Sequence, residues 1–349
     1  MRLSCSIRGP SSRISMRSCH PLYERRLKEP ETLEYIVPAD AHPQRADKLL
    51  FELLAGSFSR TLIARMIREG RVVVHGRKIK ASTVLRPSEK VVITAADAEP
   101  MQSNVEPPHT SLSILFEDDH LMVIDKPPGL TVHHGGGRSS GTLVDILVRD
   151  RPEIIGVGEA GRWGIVHRLD KDTSGVMAIA KTNEALSWLS RQFKEHSVTK
   201  IYHAIVRGAP QKDEGIVSRP IGRHATDRKR MSVAAAKSRT AVTKWRVVNR
   251  LGEVSLLEIR PETGRTHQIR VHLAAIGLPI LGDPVYGRMR RRAKHIPHLV
   301  EKCAHLLNRQ ALHASLLGVA HPVTGQYLQW TSPIPQDMEA VIACLKGNM

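Results

Sequence analysis

Cysteine is scarce: Cys5, Cys19, Cys303 and Cys344 are the only four in 349 residues. They lie far apart and form no Cys-x-x-Cys pair, which excludes a disulfide framework and argues against a zinc site. The 18 histidines are scattered and suit surface and core positions better than a ligand set. No metal is expected. Long apolar runs are missing too, so nothing approaches the length of a bilayer span. The N-terminus carries Arg2, Arg8, Arg13 and Arg17 but no apolar core segment, which excludes a secretory signal. The expected compartment is the cytoplasm. Acid is the last deficit, with 34 Asp and Glu against 52 Lys and Arg, a formal charge of +18. Such an excess favours a polyanionic partner. Nucleic acid comes first; an anionic membrane has charge alone in its favour.

What is present suffices for two domains. The chain is 41% hydrophobic, enough for an ordinary core. Residues 1–33 read as a disordered basic tail rich in Ser and Arg, within which Met16 competes with Met1 as the start. Residues 34–95 read as a compact unit, residues 96–111 have linker composition, and residues 112–345 mix strands and helices. In the compact unit Leu49, Leu50, Leu53 and Leu54 lie at helical spacing. Ser59 suits the cap of a second helix with Leu62, Ile63, Met66 and Ile67 inside, ended by Gly70. Val72–Val74 and Val91–Thr94 read as strands. Eleven Lys or Arg face five Asp or Glu between positions 40 and 95. A charged face is often merely solvated, but one dominant sign on so small a unit argues for phosphate contacts.

The rest of the chain is organised around residues 163–182. Ile165 and Val166 lead in, a polar turn runs from His167 to Gly175, and Val176–Ala180 leads out: strand, charged loop, strand. Asp170 stands out. A turn aspartate bonding its own backbone is the commonest use of Asp in a loop. A calcium loop starting at Asp170 needs Glu at its twelfth position, where Lys181 stands. A phosphoryl-transfer site needs further acids, and Asp283 alone follows.

The whole string, His167-Arg-Leu-Asp-Lys-Asp-Thr-Ser-Gly175, resembles the signature of the RluA family of pseudouridine synthases. The resemblance extends from about residue 34 to 345. Gly264-Arg-Thr-His-Gln-Ile-Arg-Val-His272, Gly282-Asp-Pro-Val-Tyr-Gly287 and Arg309-Gln-Ala-Leu-His-Ala314 point to the RluD type. It implies an α+β catalytic domain on a mixed, mostly antiparallel sheet, the pseudouridine synthase fold. It implies isomerisation of uridine in RNA, for the RluD type at helix 69 of 23S ribosomal RNA, with a flipped-out base. No cofactor is implied, since the reaction has no redox change. The expected partner is large-subunit ribosomal RNA, naked or in an assembling particle, and the expected state is a monomer.

The same resemblance assigns the site residues. Asp170 is the nucleophile. Arg270 pairs with it, with Arg265 the competing choice. Tyr202 stacks on the uracil and is the candidate proton acceptor. Leu312 covers the base. Arg168 fills the space that the base leaves, and His167 supports that loop. Lys126 and Pro127 belong to a loop near the pocket without an assigned role. The order helix, helix, strand, turn, strand in the N-terminal unit resembles the S4 RNA-binding domain. Ser59-Arg60 and Val72-Val-Val-His-Gly76 carry that likeness, and Arg60, Arg65, Arg68, Arg71 and Lys78 are its candidate RNA contacts. Two departures bear on target choice: His at the Val132-His133-His134 turn, where the family usually has Pro, and the N-terminal extension. Basic residues at 219–231 and 288–294 suit either backbone contacts or plain solvation. A non-catalytic S4-type RNA-binding or ribosome-assembly factor is the alternative, with no need for Asp170, Arg270 and Tyr202 together.

Overall fold

In the computed structural model the described residues are 6–7, 31–39, 41–53, 60–95, 111–133, 141–159, 161–227, 230–287, 300, 303–304 and 306–347. The chain divides into two units, Met1–Asn104 and Val105–Met349.

In the first unit β1 (Ser6–Ile7) pairs with β2 (Glu31–Ile36), and β3 (Gln44–Arg45) leads into α1 (Ala46–Leu53). Then come α2 (Arg60–Arg68), β4 (Val72–Val74), β5 (Arg77–Lys78), β6 (Val84–Leu85) and β7 (Lys90–Ala95). The main sheet has the order β1-β2-β7-β4-β5. Leu49, Leu50, Ile63, Met66 and Ile67 pack on Val72, Val74, Val91 and Ile93, so the helical and alternating apolar patterns meet in one core. β2 starts at Glu31 and β1 lies further back, so strand reaches into the stretch expected to be an unstructured tail. Most of that tail, and residues 96–110 of the linker, lie outside the described residues.

The second unit opens with β8 (Ser113–Glu117) and β9 (Leu121–Lys126), then α3 (Leu143–Asp150), capped by Thr142 and Asp145. β10 (Ser174–Ala180), α4 (Asn183–Glu195) and β11 (Thr199–Arg207) follow. Next are β12 (Glu214–Ser218), β13 (Ile221–Arg223), β14 (Met231–Ser232), β15 (Ser238–Arg239) and the long hairpin β16 (Val242–Leu251) and β17 (Val254–Pro261). α5 (Gln268–Ala275), β18 (Leu312–Ala320), β19 (Tyr327–Thr331) and α6 (Gln336–Lys346) complete it. The main sheet runs β12-β16-β17-β11-β18-β10-β9-β8, with β19 also on β18. Every pair is antiparallel except β10 with β18. This is the mixed, mostly antiparallel α+β arrangement expected. One core gathers β9, β10, α3 and α4; a second gathers β11, β17, α5 and α6. Tyr202 on β11 packs against both.

Two local expectations fail. The lead-in strand at Ile165–Val166 does not form; a single bridge, Ile165 to Ile179, remains. Two apolar residues after a left-handed Gly164 are too few to build a ladder. The basic stretch 219–231 is not a plain loop, because β13, β14 and β15 form a small sheet there. Arg228, Lys229 and residues 288–299 lie outside the described residues.

The parallel pairing of β10 with β18 presents the site, and it depends on one glycine. Gly175 has φ +118°, and a Cβ there would sit 2.1 Å from the Ala314 carbonyl oxygen. Backbone cannot retreat as a side chain can. Gly175→Ala is therefore expected to lower the melting temperature by about 10 °C, from about 3 kcal/mol of strain and displaced pairing. A thermal denaturation scan checks it, and a shift under about 2 °C would contradict this account.

Candidate active site

Asp170 sits in the polar loop just before β10, between residues that are tied down. Leu169 is buried in the first core. The Thr173 N–H closes a turn on the Asp170 carbonyl at 3.0 Å. Lys126, at the end of β9, donates to the carbonyls of Pro127 at 2.7 Å, Leu130 at 3.0 Å and Lys171 at 3.0 Å. Three acceptors match the three N–H donors of an ammonium. From the segment before β18, Arg309 Nη1 donates to the Asp172 carbonyl at 3.2 Å, and Gln310 Nε2 to Thr173 Oγ1 at 3.2 Å. Arg309 is in turn held by Asp337 of α6. The backbone on both sides of the carboxylate is thereby fixed, while Asp170 keeps 17% of its side chain exposed.

Lys126 was the residue without a role; geometry gives it one. It has no exposed surface, and burial pushes its ammonium down to about 7. Lys126→Met keeps the stem and deletes the three donors, leaving three carbonyls without a partner. An expected loss of about 2–3 kcal/mol would show as an earlier melting transition, with turnover falling alongside.

Arg270, on α5, donates from Nη1 to Asp170 Oδ2 at 2.9 Å. Its other edge grips Asp283 in a fork, Nε to Oδ2 at 2.7 Å and Nη2 to Oδ1 at 2.9 Å. Asp283 Oδ1 also accepts the N–H groups of Val285 and Tyr286 at 2.8 and 2.9 Å. The Arg270 side chain is 6% exposed and that of Asp283 is fully buried. Burial alone would lower the guanidinium, but Asp283 and Asp170 more than offset it and hold it above its ordinary value. Burial alone would raise the Asp283 carboxyl, but Arg270 and the two backbone N–H groups keep it below the usual range. The cation is thus secured by a carboxylate with no exposed side-chain surface and is shared with one that is partly open.

Arg265, the competing choice, lies in the loop before α5. It donates to the Thr240 carbonyl at 3.0 Å and makes no bond to Asp170. The intervening loop is locked by buried Gln268, which accepts from Thr263 Oγ1 and Arg265 N–H and donates to Val242 and Thr243. Tyr202 is half-buried on β11, at a bulge between Ile201 and itself in the pairing with β18. Bulges re-aim side chains beside functional sites. Burial, and then the charge of Asp170, push its phenol above its ordinary value. Both effects favour the neutral phenol over the phenolate.

Leu312 opens β18 and is 3% exposed, packed in the second core beside Tyr202. Arg168 is exposed and, among the described residues, makes no ion pair. His167 is turned inward, in keeping with the loop-supporting place expected of it. Its Nε2 accepts the Ala178 N–H at 3.0 Å and its ring stacks on Phe193 at 4.5 Å. Burial takes it down to about 3, so it is a neutral prop for the loop. In the first unit Arg65, Arg68 and Lys78 are exposed. Arg65 and Arg71 share Glu69, at 3.5 and 3.1 Å. The Arg60 side chain lies outside the described residues.

Sequence reasoning missed three residues around the Asp170–Arg270 pair: Asp283 and Tyr286, which touch Arg270, and His267, which faces Asp170. Asp283 was weighed only as a metal ligand, and its turn motif was noted without a role in the site. The available signal was an Asp followed by Pro, whose carboxylate can accept the N–H groups two and three residues on.

The family profile described as RNA pseudouridylate synthase matches residues 120–275, which hold Asp170, Tyr202 and Arg270. A ribosomal large subunit pseudouridine synthase D from Nitrosomonas europaea is 42% identical over 316 residues, 90% of this chain and 88% of that one. An RNA pseudouridine synthase from Bacillus subtilis is 38% identical over 305 residues, covering 87% and 95% of the two chains. Among solved structures, the human RNA pseudouridylate synthase domain containing 4 protein superposes with a TM-score of 0.53 at 28% identity, over 67% of this chain and 93% of that one. With this fold and these relatives, the chain belongs to the RluA family of RNA pseudouridine synthases, enzymes that isomerise uridine.

Proposed function

We propose that the protein converts uridine to pseudouridine in large-subunit ribosomal RNA, at helix 69, with Asp170 as the nucleophile on a flipped-out base. One observation carries the nucleophile: Arg270 holds one oxygen of Asp170 at 2.9 Å, while the carboxylate stays partly exposed in a fixed loop. The guanidinium holds one oxygen as a direct counter-charge, and the fixed loop aims the second oxygen. Attack on the nucleoside lets the bond from uracil N1 to the sugar break. The uracil turns and C5 bonds to C1′, the bond to the Asp170 carboxylate breaks, the C5 proton leaves to a base, and uracil N1 takes up a proton. Tyr202 offers a ring face to the base. The carboxylate regenerated at Asp170 suits the C5 proton better than the protonated phenol does. Arg168, exposed two residues before Asp170, suits the gap that a flipped base leaves in the stack.

The ribosomal target draws support from the relatives named as large-subunit enzymes. The exposed arginines of the first unit support an S4-like backbone contact. Tritium release from 23S RNA labelled at uridine C5, with EDTA present, tests the chemistry. Release by wild type and none by Asp170→Asn is the expected result. Pseudouridine mapping in a deletion strain tests the address: an unchanged helix 69 would overturn the target, and no release on naked RNA or particles would overturn the activity.

A further inference from the structure

His267 makes contacts that the reaction as described does not use. Its side chain is 21% exposed, and Nε2 lies 4.0 Å from Asp170 Oδ1, the oxygen that Arg270 does not hold. Its Nδ1 lies 2.9 Å from the Tyr286 hydroxyl. Tyr286 is buried, its ring edge-on to the imidazole at 5.7 Å, with the Arg270 guanidinium over its face at 5.2 Å. The Tyr286 oxygen also accepts the Met231 N–H at 2.8 Å.

These contacts fix where the imidazole proton sits. With the Met231 N–H already on the Tyr286 oxygen, the hydroxyl proton of this buried tyrosine needs an acceptor, and Nδ1 is the one in reach. The ring proton therefore resides on Nε2 and faces Asp170. The backbone supports a specific placement. His267 has φ +54°, left-handed for a residue with a Cβ, and its side chain makes no capping bond to α5. Such strain at a site marks a side chain held where the surrounding structure wants it.

We propose that His267 is a positioning residue: its Nε2–H, fixed by the chain Met231 N–H to Tyr286 to Nδ1, steers the free oxygen of Asp170 toward the substrate. The 4.0 Å gap closes to hydrogen-bond length when RNA fills the site, as unliganded sites commonly tighten. The inference rests on Asp170 being the nucleophile, and it adds a second donor to that of Arg270. The two donors act on different oxygens, so Arg270 holds one and His267 aims the other.

Steady-state kinetics on one helix 69 RNA, with melting temperatures, compare wild type, His267→Ala, His267→Gln, Tyr286→Phe and Asp170→Asn. His267→Ala is expected to lower kcat about ten- to a hundredfold with KM within about twofold. His267→Gln, whose amide N–H falls near Nε2, restores most of kcat. Tyr286→Phe frees the tautomer and lowers kcat, and adding it to His267→Ala costs nothing further. A wild-type kcat in His267→Ala, or a glutamine variant no better than alanine, overturns the inference alone. Should His267→Ala melt early, Tyr286→Phe decides, because it keeps the imidazole; full kcat there overturns the proposal. An inactive wild type, or turnover in Asp170→Asn, overturns the nucleophile reading and this inference with it.

Discussion

Asp170→Asn is expected to lose pseudouridine formation by about 10⁴-fold or more while keeping its fold and its grip on RNA. The argument rests on how the charges are shared. Arg270 has two carboxylates, and its fork is spent on Asp283, not on Asp170. Replacing one oxygen of Asp170 by an amide removes the nucleophile but leaves Arg270 neutralised. The loop does not collapse either, because Lys126, Arg309 and Gln310 grip its backbone and Thr173, not the carboxylate. A loss of activity with an unchanged melting temperature therefore reports chemistry. Filter binding with 23S RNA supplies the second readout. A mutant that turns over within about tenfold of wild type would remove Asp170 from the covalent step. A mutant that melts much earlier would show that the carboxylate, not the clamps from Lys126, Arg309 and Gln310, holds the loop.

Much of this arrangement was legible in the amino-acid order, for a physical reason. Elements with strong periodicity declare themselves. Leu49, Leu50, Ile63, Met66 and Ile67 mark two helices of the first unit, and the apolar run Leu121–Ile124 belongs to a buried strand. Asp170 was visible because a nine-residue string surrounds it. What stayed hidden depends on tertiary closure. Ile165 and Val166 have strand composition, yet only one bridge forms, because two apolar residues after the left-handed Gly164 are too few for a ladder. Arg265 and Arg270 are five residues apart in one motif, and their sequence ranks neither. The start of α5 at Gln268 separates them, leaving Arg265 in a loop that bonds a carbonyl while Arg270 faces two acids. His167 has the composition of a ligand, but a β10 amide and a phenylalanine ring consume it. Asp283 lies 113 residues after Asp170, within a turn whose commonest explanation is local.

That remote pairing makes Arg270 the position with the largest expected effect on stability. Arg270→Ala strands Asp283, whose side chain is wholly buried, with only backbone N–H groups for company. Removing one partner of a buried ion pair costs about 3–5 kcal/mol, because the remaining charge has lost its compensation. Activity should vanish too, since the same guanidinium holds one oxygen of Asp170 at 2.9 Å. Arg270→Lys is expected to be intermediate: a point charge reaches one acid but cannot fork Asp283 and bond Asp170 together. Asp283→Asn tests the support from the other side. It weakens the fork without touching Asp170, so a fall in both melting temperature and kcat would show that the buried acid stabilises the fold and orients the arginine for catalysis. The pH dependence follows from the direction of the shift. The Asp283 carboxyl lies lower folded than unfolded, so its contribution is full above the unfolded value, near 3.9, and drains away as pH falls through the folded one. Wild type should lose this increment on acidification below about pH 4, and Asp283→Asn, already without it, should show a flatter profile there. Parallel profiles for the two proteins, or an Arg270→Ala variant within about 1 kcal/mol of wild type, would mean that the buried cluster contributes little net stability and serves orientation alone.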